Sequence, residues 1–144
     1  MRALLDVNFL IALFDSDHVA HSRAHQWWQK ESHHGWASCP LTENGFIRIL
    51  SGTGYKKARQ FKPSELISLL FQFASQTDHK FWPDTVSFCD SKVFADDRIH
   101  SSNQLTDIYL LALATENMGR LVTFDERIVV TPVRRASLRN LCVV

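Results

Sequence analysis

Short apolar runs alternate with amphipathic stretches along most of the chain. The first run, Ala3-Leu4-Leu5, reads as a buried strand within residues 2–6, closed by Asp6. Phe9, Leu10, Ala12 and Leu13 follow at helical spacing, and Asp15-Ser16-Asp17 breaks that helix. Asp17 can cap a second helix, His18 to about Glu31, because its carboxylate can accept from free amides. Gly35-Trp36-Ala37-Ser38-Cys39 reads as the next strand, and Pro40 and Thr42 start a helix that runs to Leu50. Ser51-Gly52-Thr53-Gly54 stops it. Pro63-Ser64 opens a helix over Glu65 to Ser75, since proline's missing amide is not needed in a first turn. Lys80-Phe81-Trp82-Pro83 is a short strand ended by proline. The clearest helix is Asn103 to Asn117, with Leu105, Ile108, Leu111, Ala112 and Thr115 on one repeat. Met118-Gly119 ends it, glycine tolerating the left-handed cap conformation. Leu121 to Phe124 is a buried strand and Leu141 to Val144 the last one. Residues 84–101 show no period beyond a helical turn near Lys92-Val93-Phe94.

Strands alternating with helices predict an α/β fold with a mainly parallel sheet covered on both faces. The length, 144 residues, suits one domain over 1–144 with a core of its own. Apolar residues make up 45% of the chain, but no run reaches the ~18 needed to cross a membrane. Met1-Arg2 before a strand-like run does not resemble a signal peptide, so the chain reads as cytoplasmic. Cys39, Cys89 and Cys142 are far apart and odd in number, which points to buried reduced thiols rather than a disulfide or zinc framework. A formal charge of +1 excludes polyanion binding through bulk charge. Only local basic patches remain, Arg48, Lys56, Lys57, Arg59 and Lys62 in one and Arg134, Arg135 and Arg139 in another.

Four acids interrupt core-forming sequence: Asp6, Glu43, Asp107 and Asp125. A carboxylate beside apolar runs is costly to desolvate unless it is paired or bound to a cation. Asp6 and Asp125 each follow a strand, and ligands of open α/β sheets collect beyond the carboxyl ends of strands. Glu43 and Asp107 lie near helix starts, where the dipole favours anions. If the four converge, their repulsion calls for one or two divalent ions with oxygen ligands, Mg²⁺ or Mn²⁺ rather than zinc. Such ions can activate water for phosphodiester cleavage.

In their order and spacing, Leu4-Leu5-Asp6-Val7-Asn8, Thr42-Glu43-Asn44-Gly45-Phe46-Ile47-Arg48-Ile49-Leu50, Leu105-Thr106-Asp107 through Ala112-Leu113-Ala114, and Leu121-Val122-Thr123-Phe124-Asp125 resemble the four acidic motifs of the PIN-domain nucleases. The narrower resemblance is to the VapC toxins of bacterial type II toxin–antitoxin pairs. It implies a three-layer α/β/α fold, Mg²⁺-dependent (or Mn²⁺-dependent) endoribonuclease activity on an RNA substrate, a homodimer and a cognate antitoxin. It carries Asp6, Glu43, Asp107 and Asp125 over as catalytic and metal-binding acids, with Asp6 and Asp107 foremost. Asn8, Thr106 and Thr123 are suited to orient those acids or water.

Other readings are weaker. A phosphatase of the haloacid dehalogenase kind needs Asp-x-Asp, whereas the first motif here is Asp6-Val7-Asn8. A non-catalytic RNA- or partner-binding module would leave the intact acidic set without a purpose. His18, His21 and His25 share a helical face and read as a polar rim near the site, with His21 close enough to reach RNA. Trp27, Trp28, Trp36 and Trp82 read as packing residues more than as base-stacking platforms, and Phe61, Leu66, Leu69, Leu70 and Phe73 as the packing set of their helix.

Overall fold

Five short strands form one sheet in the computed structural model, which describes residues 1–55 and 61–144. The strands are β1 (Ala3–Leu5), β2 (Trp36–Ser38), β3 (His79–Phe81), β4 (Arg120–Thr123) and β5 (Leu141–Val143). Every pairing is parallel and the order is β3-β2-β1-β4-β5. The chain winds outward from β1 through β2 to β3, then returns to β1's other side for β4 and β5. The winding therefore reverses between β1 and β4, and a crevice opens there beyond the carboxyl ends of both strands.

The helices are α1 (Val7–Phe14), α2 (His21–Glu31), α3 (Pro40–Leu50), α4 (Pro63–Gln76) and α5 (Leu105–Glu116). Alternate strand residues point to opposite layers. Ala3, Leu5, Trp36 and Val122 pack with Phe9, Leu10, Phe46, Leu66 and Leu70 from α1, α3 and α4. Leu4, Ala37 and Leu121 pack on the other face with Ile108, Leu111 and Leu113 of α5 and with Trp82, Phe94 and Val133. These are the three layers expected. Residues 84–101, which lacked periodicity, are mostly irregular. They turn at Asp90–Val93 and then join the far segment through a Phe94–Val133 bridge, with Ala95 donating to Pro132 O (2.8 Å) and Arg134 to Val93 O (2.9 Å). A long-range pairing of this kind leaves no local period to read.

The helix starts show where local chemistry overrode the sequence expectation. Asp17 does not cap α2. Its amide is taken by Asp15 Oδ1 (3.0 Å) in a turn, and His18 Nδ1 instead accepts from the Ala20 amide (3.0 Å), so the helix begins at His21. At the end of α5 the left-handed residue is Met118 (φ 55°), not Gly119. Amides of Met118 and Gly119 donate to Thr115 O (3.0 Å) and Ala114 O (2.8 Å), a Schellman closure. Gly119 is needed for room instead: a Cβ there would lie 2.5 Å from the Trp82 ring and 2.7 Å from Arg2 O.

α1 and α3 meet through a second close approach. A Cβ on Gly45 would lie 2.6 Å from Val7 Cγ2, so glycine lets the α3 backbone come down onto the start of α1. That contact brings the motif around Glu43 beside the motif around Asp6. Lys56, Lys57 and Arg59 of the first basic patch lie outside the described residues.

Candidate active site

Asp6 is both the residue after β1 and the N-cap of α1. Its Oδ1 accepts from the Val7 amide (2.7 Å) and its Oδ2 from Thr123 Oγ1 (2.9 Å), while its own amide donates to Val122 O (3.0 Å). Strand pairing and helix capping thus fix both carboxylate oxygens at the β1/β4 crevice. Only 7% of Asp6 is exposed, and burial raises its pKa against those two hydrogen bonds. Thr123, the last residue of β4, is fully buried. Its hydroxyl joins two of the motifs, donating to Asp6 and accepting from the Asp125 amide (3.1 Å).

Asp107 stands in the first turn of α5. Among the described residues nothing donates a hydrogen bond to its carboxylate. Burial, followed by repulsion from Asp6 and then Asp125, pushes its pKa up to about 6. Asp125 is held the other way, at about 2, by Arg127. The Arg127 amide (2.8 Å) and Nε (3.0 Å) donate to Oδ1, and Nη2 (2.8 Å) donates to Oδ2. Asp107, Asp125 and Arg127 line a cavity of about 240 Å³ with Asn103 and Gln104.

Of the four acids expected to converge, Asp6, Asp107 and Asp125 lie near enough to feel one another's charge. Glu43 lies in the first turn of α3 at the same end of the sheet, but its carboxylate faces another cavity, of about 490 Å³, between α3 and α4. Ser38 Oγ donates to Glu43 Oε1 (2.6 Å) and is 2.8 Å from His79 Nε2. Burial lowers the pKa of His79. Ser38, His79 and Arg127 did not emerge from the sequence. The serine and histidine sit on strands whose neighbours only the sheet order reveals. Arg127 had a readable signal, a cation two residues after a motif acid.

Of the residues expected to support the acids, Thr123 touches two of them. Asn8 and Thr106 are exposed and make no side-chain hydrogen bond among the described residues. The three histidines do not form a polar rim at the site. His21 Nδ1 lies 2.7 Å from Ala12 O and His25 Nε2 lies 2.9 Å from Leu13 O, so both close the carboxyl end of α1. That end is about 12 Å from Asp6 at 1.5 Å per residue. His18 precedes the helix. Trp27, Trp36 and Trp82 are buried, which leaves none of them as an open stacking platform. Cys89 is exposed rather than buried, because the irregular segment puts it in a surface turn. Leu66 and Leu70 are buried as expected of α4, while Leu69 faces outward with Ile67 and Phe71.

Among the described residues, no group of three or more His, Cys, Asp or Glu side chains is placed to hold a metal ion. The donor chemistry nonetheless fits Mg²⁺. That ion keeps most of its waters and is usually held by one or two carboxylates together with substrate phosphate. Asp6 and Asp107 supply two carboxylates, and burial is the main reason that the pKa of each is raised.

Comparisons with known proteins show the family. The model of the PIN domain matches residues 3–133. Ribonuclease VapC44 of Mycobacterium tuberculosis (strain ATCC 25618 / H37Rv) is 48% identical over 98% of this chain and 98% of its own. Ribonuclease VapC39 of the same strain is 41% identical over 87% of this chain and 89% of its own. A looser likeness, with TM-score 0.47 and 15% identity over 88% of this chain and 90% of the other, is to a chain in the crystal structure of VapBC2 from Rickettsia felis bound to a promoter DNA fragment.

Proposed function

The chain belongs to the PIN-domain family, among its VapC ribonucleases, and from that premise we propose that it is the toxin of a type II toxin–antitoxin pair, a single PIN domain over 1–144 that cleaves RNA with Mg²⁺. Mn²⁺ is expected to substitute. Asp6 and Asp107 would hold the ion and Asp125 would support it, while Glu43, turned to the neighbouring cavity, would act only through water. When bound, it supplies the Lewis acidity that polarises a phosphate and acidifies water.

The rest of the work falls to the chain's own side chains. The Val7 amide and the Thr123 hydroxyl hold Asp6 in one rotamer, so no reorientation is needed when substrate arrives. Asp107 keeps its oxygens open to the cavity. Without a cation, burial and repulsion from Asp6 and Asp125 raise its pKa to about 6, and a bound ion would relieve that repulsion. Arg127 offsets the charge of Asp125 and lessens the repulsion a phosphate would meet. The cognate antitoxin and a second copy of the chain are the proposed protein partners. Exposed Ile67, Leu69 and Phe71 on α4 and Phe81 on β3 support a protein contact. No helix among the described residues is long and apolar enough to cross a membrane.

The observation that carries this reading is that Asp6, at the point where the sheet's winding reverses, stands near enough to Asp107 to repel its charge. The test is cleavage of RNA by purified protein in Mg²⁺, compared with Asp6→Asn and Asp107→Asn variants whose fold is verified by circular dichroism. Both variants should be inactive. Cleavage at the normal rate in either would remove the acids from the mechanism. Tight RNA binding without cleavage by the unaltered chain would favour the non-catalytic alternative.

A further inference from the structure

The acidic crevice poses a problem for its own substrate. RNA is a polyanion, and a chain of net charge +1 offers no general attraction to offset three carboxylates. Some local group must receive the phosphates that flank the cut. Arg127 has the right placement, lining the same cavity as Asp107, and its side chain is 90% exposed. Asp125 takes Nε and one Nη2 proton, so a second Nη2 proton and both Nη1 protons remain for another acceptor. The fork is held rigid by Asp125, and a planar guanidinium matches phosphate better than an ammonium does. An exposed ion pair of this kind adds little to folding.

The rest of the cavity has the chemistry of a base site. Ile108, Ile128 and Val129 form an apolar wall. Asn103 lines the same cavity and is exposed, and its side-chain amide makes no hydrogen bond among the described residues. Gln104 Oε1 accepts from the His100 amide (3.3 Å), which fixes its side chain while its amide nitrogen stays open. An amide presents a donor and an acceptor together, the pair needed to read a base edge. Base edges are available in unpaired RNA, not within an A-form helix.

We propose that this cavity is a nucleotide subsite for single-stranded RNA, in which Arg127 binds the phosphate next to the one that is cut and Asn103 reads the attached base. The proposal rests on the ribonuclease reading for its substrate but assigns residues that the acidic motifs do not include. Arg127 sets affinity without regard to sequence. Asn103 sets preference among bases with little effect on charge.

The test measures binding, so it does not depend on cleavage. Fluorescein-labelled RNA 12-mers of A, C and U are titrated with the full chain in EDTA, and anisotropy is followed over a series of salt concentrations. Arg127→Ala should weaken all three by about tenfold and reduce the salt slope by roughly 0.7, the value for one phosphate contact on a single strand. Arg127→Lys should keep most of the slope. Asn103→Ala should leave the slope unchanged and bring the three affinities to within about twofold of one another. The Arg127→Ala/Asp125→Asn double variant separates contact from unmasked charge. Restored binding there would overturn the phosphate role, and continued weak binding supports it. Unchanged affinity in Arg127→Ala, unchanged base preference in Asn103→Ala, or absence of RNA binding by the unaltered chain would each overturn the subsite. Binding with the expected slope by a chain that cuts no RNA would instead overturn the ribonuclease reading and leave the subsite standing.

Discussion

Replacing Asp107 by asparagine should make the metal-free protein more stable, although it removes a residue needed for activity. Asparagine keeps the shape and removes the charge. Burial and two neighbouring carboxylates raise the Asp107 pKa from 3.8 to about 6. A proton is therefore held more tightly in the folded chain than in the unfolded one. The associated stability is fully present below pH ~4 and is lost as pH rises through about 6, so ionised Asp107 weighs on the fold at neutral pH. A shift of roughly two units corresponds to ~3 kcal/mol as a ceiling, and solvent screening of this half-buried group reduces it to roughly 1–2 kcal/mol. In a domain of this size that is about 3–6 °C in Tm. The assay is thermal unfolding of wild type and Asp107→Asn in EDTA at pH 4 and pH 7. The variant should melt higher at pH 7 and with little difference at pH 4. Added Mg²⁺ should stabilise the wild type more and narrow the gap, because only a chain that binds the ion gains from it. A variant less stable than wild type at pH 7, or a difference independent of pH, would refute the electrostatic reasoning.

Further predictions concern the supports of the site. Thr123→Val removes a buried hydroxyl that serves both Asp6 and the Asp125 amide; it should cost about 1–3 kcal/mol in urea denaturation and lower cleavage by roughly 10–100-fold. Ser38→Ala frees Glu43 Oε1 from its donor. The expected loss is roughly tenfold or more in kcat with the fold intact, and an unchanged kcat would show that the orientation of Glu43 is immaterial. Gly45→Ala drives a methyl group toward Val7 at the α1–α3 crossing; a loss of about 1–3 kcal/mol by chemical denaturation is expected, and no loss would show that the two helices can part freely.

Much of the site could be read from the chain because its acids are tied to element boundaries. Asp6 follows a strand of three buried residues and caps the next helix, so the local pattern alone placed it at the sheet's carboxyl edge. Asp107 in a first helical turn was readable for the same reason. Glu43 was readable as a helix-start acid, but its direction was not. That depends on Ser38 and on His79, 41 residues beyond Ser38 in sequence, and on β2 and β3 being neighbours. The histidines of α2 show the opposite failure. Periodicity put His21 and His25 on one face correctly, yet what the face meets is the end of α1, a tertiary contact that spacing cannot reveal. Gly119 was misread because two demands for glycine, a left-handed cap and a close approach, leave the same letter in the sequence.

The central claim is that the crevice between β1 and β4 holds the catalytic cation. Diffraction from crystals soaked in Mn²⁺, recorded for its anomalous signal, tests this most directly. The account predicts a peak touching carboxylate oxygens of both Asp6 and Asp107, lost in crystals of Asp107→Asn. A peak confined to the Glu43–His79 side, or no peak under conditions in which the protein cuts RNA, would contradict it.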